Sequence, residues 1–189
     1  VYPFAFALKI TYTLKKHDLE VCWEVVNNDS ETMYFTIGGH PAFRVPVREG
    51  ESQSDYRLAF EGLDTLTYLL IDTSVGTVLS DEPHTLSLEN GTCSIAPHMF
   101  DKDALVFDNG QIQKAGILFP DGTPYLTLTS EGFPNFGIWS VPGAPFVCLE
   151  PWMGRCDDCG FEKPLSEKAN INVLKPDEEF IKSYQITVH

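Results

Sequence analysis

Apolar and polar residues alternate along the first part of the chain. Between Phe4 and Leu14 every even-numbered residue is apolar, and alanine, lysine or threonine fills the positions between them. After the polar link KKHD, the same period of two runs from Leu19 to Val25. This period is typical of a half-buried β-strand. Two such runs across a four-residue link therefore predict an antiparallel hairpin.

Short apolar runs separated by turn sequences continue this pattern to the end of the chain. The turns are rich in glycine and proline, as in DGTP, EGFPN and VPGAP. The predicted strands are MYFTI (33–37), YRLAF (56–60), TLSLEN (85–90), GILF (116–119), YLTLT (125–129), FGIWSV (136–141), FVCLE (146–150) and FIKSYQITV (180–188). No segment has a sustained 3.6-residue period. The sequence therefore predicts an all-β antiparallel protein, either a sandwich or a barrel.

Length and charge narrow the class of protein further. The 189 residues fit one continuous domain over residues 1–189, and 43% of them are hydrophobic, which is enough to bury a core. The formal net charge of −14 repels phosphate backbones and anionic lipid, so we expect neither nucleic acid nor a membrane surface as a partner. No apolar run approaches the ~20 residues of a membrane-spanning helix.

The cysteine pattern and several missing motifs exclude other classes. Five cysteines at irregular spacing do not suggest a disulfide framework, so we expect a reducing, cytoplasmic setting. The chain has no phosphate-binding glycine loop, dinucleotide fingerprint, serine-hydrolase elbow or H-E-x-x-H motif. The single C-x-x-C at Cys156 and Cys159 lacks a second pair and is a weak zinc signal. We expect no cofactor and no metal.

Candidate chemistry begins at IGGHPAF, residues 37–43. His40 follows Gly38 and Gly39, which permit close backbone approach or positive φ, and precedes Pro41, which biases His40 towards an extended conformation. An unperturbed imidazole pKa near ~6.5 suits proton transfer at neutral pH. A histidine at a strand end is more often structural, but this setting indicates a side chain held in a set direction.

A second candidate lies in FVCLEPW, residues 146–152. An apolar strand ends here at Glu150, and Pro151 is expected to stop its hydrogen-bonding ladder. A carboxylate at the end of a buried strand is costly unless it is paired or used, although a strand-end glutamate commonly points to solvent. The flat apolar face of Trp152 suits stacking on the C–H surface of a sugar, with ordinary core packing as the alternative.

Four segments taken together resemble the aldose 1-epimerase (galactose mutarotase-like) family, in its bacterial branch with G-G-H-P-A-F and E-P-W motifs. The segments are YPFAFALKITYTL, MYFTIGGHPAFRVP, FDKDALVF and FGIWSVPGAPFVCLEPWMGRCD, and the similarity runs essentially from Val1 to His189. The resemblance implies a large antiparallel β-sandwich with an open sugar cleft. It also implies interconversion of the α and β anomers of a free aldohexose without a cofactor.

The resemblance assigns the catalytic roles to two residues. The histidine matching His40 acts as acid on the ring oxygen, and the glutamate matching Glu150 acts as base on the anomeric hydroxyl. The chemistry requires such a pair, because opening a hemiacetal ring needs one group to donate a proton and another to accept one. Each group typically contributes about 10²–10⁴-fold to the rate.

Further residues are expected to bind the sugar. In the family an aspartate that binds substrate hydroxyls precedes a short apolar run. Asp103 in DALVF is the nearest match, and Asp108 is the alternative. We expect Phe43 and Trp152 to wall the pocket and Arg44 to hydrogen-bond sugar hydroxyls.

Family members also carry a substantial N-terminal portion before the matching YPF strand, with a second active-site histidine and an arginine. The other histidines of this chain do not lie in a matching motif; they are His17, His84, His98 and His189. We therefore expect the chain to correspond to the C-terminal part of the family fold. Its unpaired strand edges would favour a homo-oligomer or pairing with an N-terminal piece.

Two other functions fit the sequence. A non-catalytic sugar-binding protein or sensor would keep the cleft without the rate enhancement. A glycoside-processing enzyme would need two carboxylates about 5–9.5 Å apart, such as Glu150 with Asp103 or Asp157, and would leave His40 unexplained.

Overall fold

The computed structural model describes residues 2–189, so Val1, which belongs to the predicted domain over residues 1–189, lies outside the described range. The strands in chain order are β1 (Phe6–Lys15), β2 (Asp18–Asn27), β3 (Met33–Phe35), β4 (Ile37–Gly38), β5 (Ala42–Arg44), β6 (Arg57–Phe60), β7 (Thr65–Tyr68), β8 (Ile71–Asp72), β9 (Thr77–Val78), β10 (His84–Ser87), β11 (Thr92–Ser94), β12 (Leu105–Phe107), β13 (Lys114–Leu118), β14 (Pro124–Thr129), β15 (Asn135–Trp139), β16 (Phe146–Met153), β17 (Asn172–Leu174) and β18 (Glu179–Val188). Two one-turn 3-10 helices, Gln53–Asp55 and Leu165–Glu167, lie in loops. Within residues 2–189, no helix has the length and apolar character needed to cross a membrane.

Two antiparallel sheets form a sandwich. The larger sheet has seven strands in the order β1-β2-β18-β14-β13-β6-β11, and the smaller has the order β12-β15-β16-β4, with β5 also paired to β16. Three two-stranded ribbons, β10-β7, β17-β3 and β8-β9, complete the described structure. Every run predicted from the period of two overlaps an observed strand. The all-β class is confirmed, with the sandwich as its form.

The main core lies between the two sheets. Val147 and Leu149 of β16 are fully buried there, facing Trp23 of β2 and other apolar residues of the larger sheet. Trp23 contacts Phe133 and Tyr184 edge-on, as expected for core aromatic residues. Since side chains alternate along a strand, Cys148 and Glu150 project from the opposite face of β16.

The first hairpin is tighter than predicted. Lys15 pairs with Asp18, so only two residues form the link instead of four. Lys16 takes a positive φ of 56° there, as a two-residue hairpin turn requires. The MYFTI run is also divided: β3 pairs with β17, whereas β4 pairs with β16 in a different sheet.

The prediction that β1 is half-buried is wrong for the described structure. Leu8 pairs with Val25 and Ile10 with Trp23, so the apolar side chains of β1 share the face that β2 buries in the core. Yet Leu8 is 46% exposed and Ile10 44% exposed. In residues 2–189, β2 is the only strand that packs extensively along β1. The period of two is correct, but the face it creates is left largely exposed in the described structure.

The expected end of β16 at Pro151 is also wrong, because the strand continues to Met153. Pro151 pairs with Phe136 of β15, and its carbonyl accepts a hydrogen bond from the Gly39 N–H at 2.9 Å. In an antiparallel strand the N and O of one residue point to the same side. The missing N–H of Pro151 therefore faces Gly39, and one ladder bond is absent there. The Gly39 N–H to Pro151 bond and the Leu149 N–H to Pro41 bond still hold the segment between β4 and β5 on β16.

Candidate active site

The pairing of β16 brings His40 and Glu150 together. β4 pairs with β16 through Gly38 and Trp152, and β5 pairs with it through Ala42 and Cys148. The segment between β4 and β5 is therefore held opposite Glu150. His40 Nε2 lies 3.5 Å from Glu150 Oε2. Sheet register thus joins two residues about 110 positions apart in the chain.

The two side chains differ sharply in burial. Glu150 is only 3% exposed, whereas the side chain of His40 is 59% exposed. Burial raises the pKa of Glu150 to about 7. A hydrogen bond from Trp152 opposes this rise, and the nearby carboxylate of Asp103 adds to it. A carboxyl group with a pKa near neutrality can take up and return a proton at physiological pH.

Trp152 lies on the same face, and two glycines make room for it. A Cβ built on Gly38 would lie 2.5 Å from Cδ1 of Trp152, and a Cβ on Gly137 would collide with the six-membered ring of the indole. The indole therefore spans from β4 across to β15. It also packs beside a small buried cluster of Leu69, Val78 and Val106. These contacts hold the indole in place on the sheet.

Gly39 also lies where a neighbouring side chain leaves no room for a Cβ atom. A Cβ there would lie 2.9 Å from the Tyr184 hydroxyl. Neither Gly38 nor Gly39 takes a positive φ. Of the two uses expected for this glycine pair, close approach is the one that the structure contains.

The two candidate aspartates have different surroundings. Asp103 adopts a φ of 74° just before β12, and its Oδ1 accepts a hydrogen bond from the Ala104 N–H at 2.6 Å. Asp108 is bound by Arg155, which donates from Nε at 2.9 Å and from Nη2 at 2.8 Å. The Asn135 amide also donates to Asp108 at 2.7 Å. The carboxylate of Asp108 is thus engaged within the protein, whereas Asp103 lies close enough to influence Glu150 electrostatically.

Phe43 and Arg44 are consecutive residues of β5, so their side chains project from opposite faces of the sheet. Phe43 pairs with Val147 and packs against the main core, so it lies on the face opposite Glu150. The expected role of Phe43 as a pocket wall does not fit this position. Arg44 pairs with Phe146, which shares the face of Cys148 and Glu150. Arg44 is therefore at one end of the candidate site.

Two residues on this face were not singled out from the sequence. The Trp139 ring lies edge-on to His40, with 5.7 Å between ring centroids and an interplanar angle of 85°. Cys148 is buried beside it, and one ligand atom from each of His40, Cys148 and Glu150 lies within 4.8 Å of the others. Burial raises the pKa of Cys148 to about 12, and the charge of Glu150 adds to this. The sequence could have indicated Cys148, because residues two apart on one strand project from the same face and Cys148 is two residues before Glu150.

The other cysteines are not part of this site. All five cysteines are free thiols, and Cys156 is partly buried while Cys159 is exposed. Cys156 packs beside the small cluster that contacts Trp152.

The fold and the close approach of His40 to Glu150 define a β-sandwich protein with a paired histidine and buried carboxyl group on one face of its smaller sheet. Residues 1–186 match the family described as aldose 1-epimerase, and the chain belongs to this family. The family resemblance drawn from the sequence motifs is thereby confirmed.

Two curated relatives are the plasmid and chromosomal LacX proteins of Lactococcus lactis subsp. lactis. Each is 30% identical over 190 residues, covering 99% of this chain and 63% of the relative. A galactose mutarotase related enzyme from Lactobacillus acidophilus is 28% identical with a TM-score of 0.89, covering 100% of this chain and 63% of that one. A galactose mutarotase-like protein from Lactobacillus casei is 27% identical with a TM-score of 0.84, covering 100% of this chain and 65% of that one. The chain therefore spans less than two thirds of the length of these relatives.

Proposed function

We propose that this protein is an aldose 1-epimerase that interconverts the α and β anomers of a free aldohexose. The observation that carries the proposal is the 3.5 Å approach of His40 Nε2 to the buried carboxylate of Glu150 in a chain of this family. The pair places a proton donor and a proton acceptor side by side, with His40 exposed and Glu150 buried next to it. Hemiacetal opening requires both.

The reaction proceeds by proton transfer at two oxygens of the sugar. The Glu150 carboxylate takes the proton from the C1 hydroxyl, and the His40 imidazolium gives a proton to the ring oxygen. The bond between C1 and the ring oxygen breaks as the C1 carbonyl forms. Rotation about the C1–C2 bond presents the other face of the aldehyde, and the reverse transfers close the ring and restore both side chains.

The protonation of Glu150 suits this role and sets a pH dependence. A base is most effective when its pKa lies near the working pH. Because burial raises the pKa of Glu150 to about 7, we expect the rate to fall as the pH drops below neutrality, where the carboxylate becomes protonated.

The sugar would be held by side chains around the pair. Trp152 offers an indole face for stacking on C–H groups, and Asp103 and Arg44 offer an acceptor and donors for hydroxyls. The sugar-binding role of Asp103 is supported by its electrostatic influence on Glu150. The role of Arg44 is supported by its pairing with Phe146, which lies on the same face of β16 as Glu150. The five free thiols fit a cytoplasmic location.

The active form would also contain polypeptide that covers β1. The chain spans 63% of the curated relatives, and the apolar face of β1 is continuous with the core yet exposed. We propose that the exposed face of β1 is covered by polypeptide equivalent to the part of the relatives that this chain does not span. It would complete the wall of the cleft.

The test is NMR exchange between the α and β anomers of glucose and galactose. Faster exchange is expected with the protein, and either His40→Asn or Glu150→Gln should reduce the enhancement by about 10²-fold or more. His98→Asn, a change at an exposed histidine, serves as the matched control. Full acceleration by both active-site variants would overturn the proposal.

A sugar-binding protein without catalysis is the second candidate, favoured by the exposure of the His40 side chain on an open face. It would bind an aldohexose in calorimetry, show no faster anomer exchange, and lose no affinity in Glu150→Gln.

A further inference from the structure

Cys148 places a third and chemically different ligand beside the acid–base pair. Cys148 and Glu150 are two residues apart on β16, so both project from the same face. His40 reaches that face from the segment between β4 and β5. The anomer-exchange mechanism gives no task to a thiol, yet the thiol is buried at the centre of the candidate site.

The spacing of the three groups approaches that of a metal site. One ligand atom from each of His40, Cys148 and Glu150 lies within 4.8 Å of the other two, and the imidazole and carboxylate are 3.5 Å apart. Bonds of roughly 2.0–2.3 Å in a tetrahedral site place ligand atoms roughly 3.3–3.8 Å apart. Shifts of about 1 Å would close the remaining difference. The distance between the imidazole and the carboxylate already fits, so the movement is needed at the distances to the Cys148 sulfur.

The donor set selects the class of metal. A thiolate with an imidazole favours zinc and similar thiophilic ions, whereas magnesium and calcium prefer oxygen ligands throughout. Three protein ligands leave a fourth position open to water or another molecule. The thiolate and carboxylate would balance the charge of a divalent cation in this buried position.

We propose that His40, Cys148 and Glu150 form a binding site for a zinc-class divalent cation. Binding displaces the proton of the thiol to solvent and leaves the metal bonded to sulfur, nitrogen and oxygen. Because the metal would occupy the lone pairs that transfer protons, zinc would inhibit the protein reversibly. This inhibition rests on the proposed function, whereas the binding itself does not.

The test uses cadmium as the probe, because cadmium–thiolate bonds absorb in the ultraviolet. The parent for the titration is Cys156→Ser/Cys159→Ser, which removes the C-x-x-C pair as a competing site. One cadmium ion per chain with a charge-transfer band is expected, and zinc should displace it. Adding Cys148→Ser should abolish the band, and adding Cys22→Ser, the matched control, should leave it unchanged.

His40→Asn provides an independent variant, at a side chain that is 59% exposed. It should weaken zinc binding by roughly tenfold or more, since even outer-shell partners of metal ligands contribute about 10–100-fold to affinity. A parent without the band, a band that persists in Cys148→Ser, or unchanged affinity in His40→Asn would overturn the site. Circular dichroism establishes that each variant is folded.

Anomer exchange with and without zinc separates the two proposals. A cadmium band that depends on Cys148, in a protein that does not accelerate exchange, would leave the metal site standing and remove the epimerase. If the protein accelerates exchange, zinc does not reduce the rate and no cadmium band forms, the epimerase would stand and the metal site would be removed.

Discussion

The indole of Trp152 occupies the space that a side chain at Gly38 would need. An ideal Cβ on Gly38 would lie 2.5 Å from Cδ1 of Trp152, closer than real Cβ contacts allow. The pair Trp152↔Gly38 is also the point at which β4 joins β16, immediately before His40. The glycine in the GGHP motif therefore positions an aromatic ring as well as a histidine.

Gly38→Ala should lower the free energy of unfolding by about 1–3 kcal/mol, because overpacking forces the ring or the strand to move. Denaturant unfolding measures this loss. In a Trp152→Ala background the same change should cost much less, since the clash is gone, and the double-mutant cycle isolates the contact. Equal costs in the two backgrounds would contradict the packing explanation.

Glu150 should make stability depend on pH in an unusual direction. Its folded pKa is raised from the ordinary 4.5 to about 7, so between those values the folded protein holds a proton that the unfolded chain has lost. The free energy of unfolding contributed by this group is therefore greatest below pH ~4.5 and falls as the pH rises to about 7. The loss is on the order of 3 kcal/mol.

Comparison of wild-type protein with Glu150→Gln by denaturant unfolding from pH 5 to pH 8 measures this contribution. As the pH rises, the free energy of unfolding of wild-type protein should fall relative to that of Glu150→Gln. The exposed Glu131→Gln is the control and should track wild type at every pH. A constant difference between wild type and Glu150→Gln would show that the carboxyl group titrates normally.

The two candidate aspartates should respond differently to substitution. Asp108→Asn removes the negative charge that pairs with Arg155, whose side chain is only 7% exposed. Breaking a buried ion pair in this way typically lowers the free energy of unfolding by about 3–5 kcal/mol. The remaining pair of Arg155 with Asp158 should reduce this cost. Thermal unfolding measures it. Asp103→Asn should leave the unfolding temperature nearly unchanged and weaken sugar binding in calorimetry, and the reverse pattern would assign the sugar role to Asp108.

The exposed face of β1 should make the 189-residue chain associate when expressed alone. Unpaired edges and contiguous apolar surface both favour self-association. Sedimentation at increasing concentration should detect it. Leu8→Thr/Ile10→Thr should reduce it while keeping residues suited to a strand. Thr13→Lys, on the other face of β1, is the control, and a chain that stays monomeric throughout would contradict the expectation.

Local pattern located most of the strands, but it missed β5, β7, β8, β9, β11, β12 and β17. It also singled out His40 and Glu150 as candidates. The period of two located β1, β2 and β18, because side-chain alternation is a property of each strand alone. The motifs around His40 and Glu150 indicated a functional pair, because glycine, proline and a strand-end carboxylate constrain the backbone locally. The family resemblance then supplied their relation, and the sheet register agrees with it.

Other features depend on partners distant in sequence. Parity along β5 could have indicated that Phe43 and Arg44 face opposite sides, but only pairing with β16 decides which side is the core. Pro151 stays within its strand because its carbonyl still accepts a hydrogen bond from Gly39, and the pairs on both sides of it hold the register. The engagement of Asp108 by Arg155 joins positions that no local pattern relates.

The sequence by itself determined the all-β class, most of the strands and the two candidates His40 and Glu150, since these rest on short-range periodicity and on motifs. Only the tertiary structure decided the burial of Glu150, the approach of Trp139 to His40, and the exposure of β1. Burial and proximity depend on which surfaces meet across sheets, and a linear pattern does not contain that information.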